Sequence, residues 1–115
     1  MREQYDLFDP HIGARTSDPD TSHAAAAAHA MVRRADRRIV LLTHAARLDG
    51  LTDFELAAIM DRQQTSVGKR RGELRDLGLI ADSSTRRPAP SGSAAIVWRI
   101  TAAGLALAHE LEAAT

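Results

Sequence analysis

Without cysteine this chain has no thiolate chemistry, and its candidates for chemistry are first its 5 histidines and its 15 basic and 15 acidic side chains. His23 and His29 are six residues apart, not the three or four that would put two metal ligands on one helical face. His11, His44 and His109 have no paired carboxylate or cysteine at ligand spacing. There is no phosphate-cradling glycine loop and no nucleophile elbow, so the residue types predict neither an enzyme nor a metal or cofactor site. Positive charge does concentrate. Arg62, Lys69, Arg70, Arg71, Arg75, Arg86 and Arg87 gather against Asp61, Glu73, Asp76 and Asp82, although the chain's formal net charge is zero. Zero net charge argues against a polycation that coats nucleic acid indiscriminately, and the local surplus is suited to pairing with an anion at one place.

The stretch from Thr52 to Gly78 must position those cations. Thr52 and Glu55 have the spacing of a capping box, which predicts a helix from Asp53 with Leu56, Ala57, Ile59 and Met60 as its apolar face. A second helix is expected to begin near Thr65 or Ser66 and to stop at Gly78, a residue that accepts a left-handed C-terminal cap. At 100° per residue Val67, Arg71 and Leu74 share one line, with Lys69, Gly72, Glu73 and Asp76 opposite. Arg71 therefore falls where an apolar residue usually stands; it must snorkel or pair with a carboxylate and is expected to be structural.

The flanking segments complete the frame. Residues 1–20, with Pro10, Gly13 and Pro19 and few apolar side chains, read as an extended or partly disordered arm, and 21–115 as one domain. An alanine-rich helix is expected from about Ser22 to Val32 or beyond, followed by a second, largely buried helix through Ile39, Leu42, Ala45, Ala46 and Leu48 that ends at Asp49-Gly50. The small-residue face of the first suits either a second subunit or its own domain. Arg33, Arg34, Arg37 and Arg38 serve either phosphate or a solvated surface. Leu79-Ile80-Ala81 reads as a strand, DSSTRRPAPSGSA as a basic flexible loop, and AAIVWRI as a strand covered on the face of Ile96, Trp98 and Ile100. Thr101 caps a last helix whose Leu105, Ala108 and Leu111 align, with Leu107 widening the line.

Length and composition suit one modest core. The lack of cysteine fits a reducing compartment, no run approaches a membrane span, and the N-terminus lacks the apolar centre of a secretory signal, so a cytoplasmic location is the expectation.

The resulting order is helix, helix, helix, helix, strand, basic loop, strand, helix. From about Arg37 to Ile100 the chain resembles the winged helix-turn-helix DNA-binding domains of bacteria and phages. LTDFELAAIM resembles the supporting helix, TSVGKRRGELRDLGLI the recognition helix and its exit into the wing, and AIVWRIT the return strand. The pattern Leu74, Gly78, Leu79, Ile80 is typical of such domains, and TSDPDTSHAAA is similar to the opening of small phage and actinobacterial proteins. Ala57 matches the small residue where the two helices cross, and Val67 the inner anchor of the second. The turn departs from the pattern: Asp61 stands where glycine is common, and Arg62 where an apolar residue is.

The resemblance implies a mostly α fold with a small β-hairpin, a winged helix-turn-helix with extra N- and C-terminal helices. It implies binding of double-stranded DNA by a transcriptional regulator or architectural factor, with residues 65–77 in the major groove and a wing over about 83–93 on flanking DNA. Thr65, Ser66, Lys69 and Arg70 would meet the groove, Lys69 and Arg70 reading bases, and Glu73 would accept from cytosine or pair with an arginine. Arg86 and Arg87 would reach a minor groove or flanking phosphates. A homodimer through the alanine-rich and C-terminal helices is expected. The other reading is a winged scaffold turned to binding a host or partner protein.

Overall fold

A computed structural model of the chain describes residues 23–114. Four helices and a two-stranded antiparallel sheet follow one another as α1 (His23–Ala45), α2 (Asp53–Met60), α3 (Gln64–Asp76), β1 (Ile80–Pro88), β2 (Ala94–Ile100) and α4 (Ala102–Ala113). The arm and most of the TSDPDTSHAAA phrase lie outside the described residues.

The two helices expected before Gly50 are one. No glycine or proline interrupts His23 to Ala45, and the arginines at 33, 34, 37 and 38 are good helix formers, so the alanine run propagates straight into the apolar segment. The helix ends at Ala45, ahead of Asp49-Gly50. Its buried stripe also differs from expectation: Arg37, Val40, Leu41 and His44 are fully buried, whereas Ile39 and Leu48 are exposed.

Helix α2 starts as its capping box dictates. The Thr52 hydroxyl accepts the Glu55 N–H at 3.1 Å, and the Glu55 carboxylate accepts the Thr52 N–H at 2.9 Å. Leu56 and Ala57 are buried and Ile59 is exposed. Helix α3 buries Val67 and Leu74. Its C-terminus turns at Gly78, whose φ of +77° suits a residue without Cβ.

Strand β1 is the larger departure. Most of the segment expected to be a loop is strand as far as Pro88, because pairing with β2 satisfies its backbone where local propensity would not. Ile80 pairs with Ile100 and Asp82 with Trp98; the register then shifts, so that Arg86 pairs with Ile96 and Pro88 with Ala94. The shift contains Ser84 at φ +68°, its N–H donating to Asp82 Oδ1 at 2.8 Å. Only 89–93 form the connecting turn, with Gly92 at φ +91°.

Leu51 adds a third, single-residue rung beside β2, exchanging bonds of 2.9 and 2.8 Å with the Trp98 backbone. Gly50 makes that approach possible: at φ +98°, a Cβ there would stand 2.6 Å from Val97 Cγ1. Val97, expected on the uncovered face, is therefore buried along with Trp98.

Thr101 caps α4 by accepting the Gly104 N–H at 3.0 Å. Ala108 and Leu111 complete a core with Val40, Leu41, Leu56, Leu74, Leu79 and Ile80. Each fully buried leucine in it contributes about 1.5–3 kcal/mol relative to exposure.

Candidate nucleic-acid interface

The joint between α2 and α3 is a tight turn. Asp61 takes the left-handed conformation, φ 53° and ψ 50°, with Arg62 donating its backbone N–H to Ala57 O at 3.0 Å. Aspartate tolerates this region better than most residues, which is how it stands in for glycine. Arg62, at the position usually apolar, turns outward and bonds Asp36 of α1 at 3.3 Å, so an ion pair takes the place of an apolar contact.

Helix α3 is fastened on two sides. Arg71 faces inward and donates Nε to Asp53 Oδ1 at 3.1 Å and Nη2 to Oδ2 at 2.7 Å, while its guanidinium lies 3.9 Å from the centre of the Trp98 ring. The sequence expectation that Arg71 pairs with a carboxylate is met. Gly68 leaves room for that carboxylate: a Cβ there would stand 3.1 Å from Asp53 Oδ2. On the other side Glu73 accepts from the fully buried Arg37 of α1 at 3.1 Å and from Arg70 Nη2 at 3.1 Å, with Arg70 Nε an ion-pair contact at 3.0 Å that makes no hydrogen bond. Burial and the neighbouring charges of Arg33 and Arg37 lower the Arg70 pKa from its ordinary value, opposed by Glu73. Arg37, grouped in sequence with the other cations of α1 as a phosphate candidate, is thus spent inside the fold.

The N-terminal half of α3 is open. It begins one residue ahead of the expected Thr65, and Gln63 supplies no side-chain cap. Thr65, Ser66 and Lys69 are exposed, and Lys69 forms no ion pair among the described residues. These three, with the rim of Arg70, share one surface. Glu73 does not join it as a free carboxylate, since both of its oxygens are taken.

The wing arginines are placed differently from expectation. Arg86 and Arg87 sit on β1 and not on a mobile loop. Arg86 pairs with Asp82 at 3.1 Å and leaves much of its side chain in solvent. Arg87 reaches back to α2, bonding the two Glu55 oxygens at 2.7 and 3.0 Å and Gly50 O at 2.8 Å. That bonding to Arg87 is the main cause holding the Glu55 carboxyl below its ordinary pKa. One glutamate therefore caps α2 and ties the wing to it, a link between residues 32 apart that no local pattern announces.

Among the described residues, no group of three or more His, Cys, Asp or Glu side chains converges as a metal site, and no helix is long and apolar enough to cross a membrane. His44 is fully buried, with neither ring nitrogen hydrogen-bonded.

No protein-family model and no curated protein matches the chain. Among solved structures it is similar to ZitR of Lactococcus lactis, solved in apo form as a two-site variant, at 17% identity and a TM-score of 0.55, over 82% of this chain and 67% of that one. Identity that low carries the fold alone. Four helices, a tight helix-turn-helix and a β-hairpin give this chain a winged helix-turn-helix fold, mostly helical, as the sequence resemblance implied.

Proposed function

We propose that the protein binds double-stranded DNA as a transcriptional regulator or architectural factor, presenting the start of α3 to the major groove and the wing to flanking DNA. One observation carries this reading: the exposed, uncapped N-terminal half of α3 bears Thr65, Ser66 and Lys69 on the outer face of a helix-turn-helix, where free amides and a positive dipole end favour phosphate. The winged helix-turn-helix fold, which the likeness to ZitR shows, supports it. Lys69 and Arg70 are the base-reading candidates. Glu73 orients Arg70 through its ion pair, and Arg86 is the wing cation with most freedom to reach DNA. A binding protein of this kind acts in the cytoplasm of a bacterial cell. Selection of genomic fragments by the purified protein, followed by anisotropy titration over a range of salt, tests the reading; absence of salt-sensitive binding to every fragment refutes it.

The protein acts as a homodimer through α1. Ala25, Ala28, Val32, Ala35 and Ile39 recur at alternating three- and four-residue steps, and all five are exposed, as is Met31 beside them. Helix α4 contributes less to pairing than its leucines suggest, because Ala108 and Leu111 are turned into the core. A sedimentation mass equal to one chain at micromolar concentration counts against the dimer. The same exposed face, with Arg70, Arg86 and Arg87 engaged in internal pairs, favours the second reading of a scaffold that binds a partner protein. Charge reversal at Lys69 and Arg70 separates the two, since a partner pull-down would survive it.

A further inference from the structure

The N-terminal half of α1 runs beside the helix-turn-helix and leaves an open groove of about 560 Å³ between them. Arg33 lines its α1 side; Arg62, Ser66, Lys69 and Arg70 line the other. The carboxylates on its walls are Asp36 and Asp61, and Asp36 is already bonded to Arg62. Three features point to an anion. The Arg33 Nε is buried without a hydrogen-bond partner, and Arg33 forms no ion pair among the described residues. Arg33 also crowds Arg70, adding to the burial that lowers the Arg70 pKa. The start of α3 borders the groove at Gln63 and Ser66 and carries no side-chain cap. An oxyanion in the groove would accept from all three kinds of donor at once, and charge-assisted bonds of this sort are the strong ones.

We infer that this groove is a site for a DNA backbone phosphate, in which Arg33 of α1 is the ligand supplied from outside the helix-turn-helix. The site rests on the DNA-binding reading and deepens it. Ser66 and Lys69 stand both in the groove and on the face offered to the duplex, so a strand crossing the start of α3 passes Arg33 before it reaches the major groove. The first long helix thereby becomes a third DNA-contacting element beside α3 and the wing. Phosphate contact carries no sequence information, so Arg33 adds affinity equally on every sequence.

The test uses the full chain and a fragment selected by the wild-type protein. Arg33→Gln is expected to weaken binding by a similar factor on the selected and on an unrelated duplex, and to make the slope of log affinity against log salt shallower by about one. Arg33→Lys should restore the slope. A second measurement needs no claim about the variant's stability. One uncharged methylphosphonate is moved along the duplex, and at the phosphate held in the groove it should cost the Arg33→Gln protein clearly less than it costs the wild type, because Arg33 is one of the donors lost there. A slope equal to wild type in folded Arg33→Gln, or an unchanged methylphosphonate penalty, overturns the site. So does loss of polyglutamate binding with DNA binding intact, which assigns the groove to an acidic protein. If the wild type binds no duplex at all, the DNA reading itself has failed and the site falls with it.

Discussion

Removing the Asp53 carboxylate should cost about twice as much as removing the arginine it pairs with. Both side chains are only 12% exposed, and Arg71 is held by two bonds of 3.1 and 2.7 Å with its guanidinium 3.9 Å from the Trp98 ring centre. In Asp53→Ala the guanidinium stays in that position without its counter-ion. Losing one partner of a fully buried pair costs about 3–5 kcal/mol, and the residual exposure here permits some rehydration, so about 2–4 kcal/mol is expected. In Arg71→Met the stem is replaced by an apolar chain of similar reach against Trp98. The carboxylate left behind lies at the first residue of α2, where the helix dipole favours it, so about 1–2 kcal/mol is expected. The double variant should resemble Arg71→Met. Urea unfolding with unchanged m-values measures all three, and for a domain of this size Asp53→Ala should lower Tm by roughly 10–20 °C. Equal costs for the two single variants, or a cost under about 1 kcal/mol for Asp53→Ala, would refute the assignment of Arg71 to the fold.

Two pH dependences follow from buried and paired groups. Burial lowers the His44 pKa to about 4, so the native state stays neutral while the unfolded chain takes up a proton below its ordinary value near 6.5. Stability should be full above pH 6.5 and fall by up to about 3 kcal/mol as pH drops toward 4; His44→Leu should flatten urea midpoints over that window, and parallel profiles would count against it. The Glu55 carboxyl is held below its ordinary 4.5 chiefly by Arg87, so the stability from that pair is complete above pH 4.5 and lost as pH falls further. Arg87→Gln should lose less stability than wild type between pH 4.5 and 2.5, and an identical acid limb would show that the wing is not tied through Glu55.

What could be read in advance was local. Thr52 and Glu55 are three residues apart and announce their helix, and Asp61 tolerates a positive φ whatever surrounds it. Arg71 was legible because helical geometry alone put a charge on an apolar line. The failures share a cause at longer range. Alanine-rich and arginine-rich segments were separated by composition, yet nothing in the chain breaks the helix between them. DSSTRRP has the composition of a loop but finds a partner strand in AAIVWRI. Arg37 with Glu73, and Arg87 with Glu55, join residues 36 and 32 apart, and nothing in the spacing selects those carboxylates over others. For the candidate site, the outer face of α3 followed from periodicity, whereas the groove beside it needed the position of α1.

Charge reversal at Lys69 tests DNA recognition by the start of α3 most directly. Lys69 is exposed and forms no ion pair among the described residues, so Lys69→Glu should leave urea stability within about 0.5 kcal/mol of wild type. Titrated against a selected fragment, the variant should bind more than tenfold more weakly at the same salt, with a shallower salt slope. Wild-type affinity and slope in the folded Lys69→Glu protein would contradict the placement of DNA on α3.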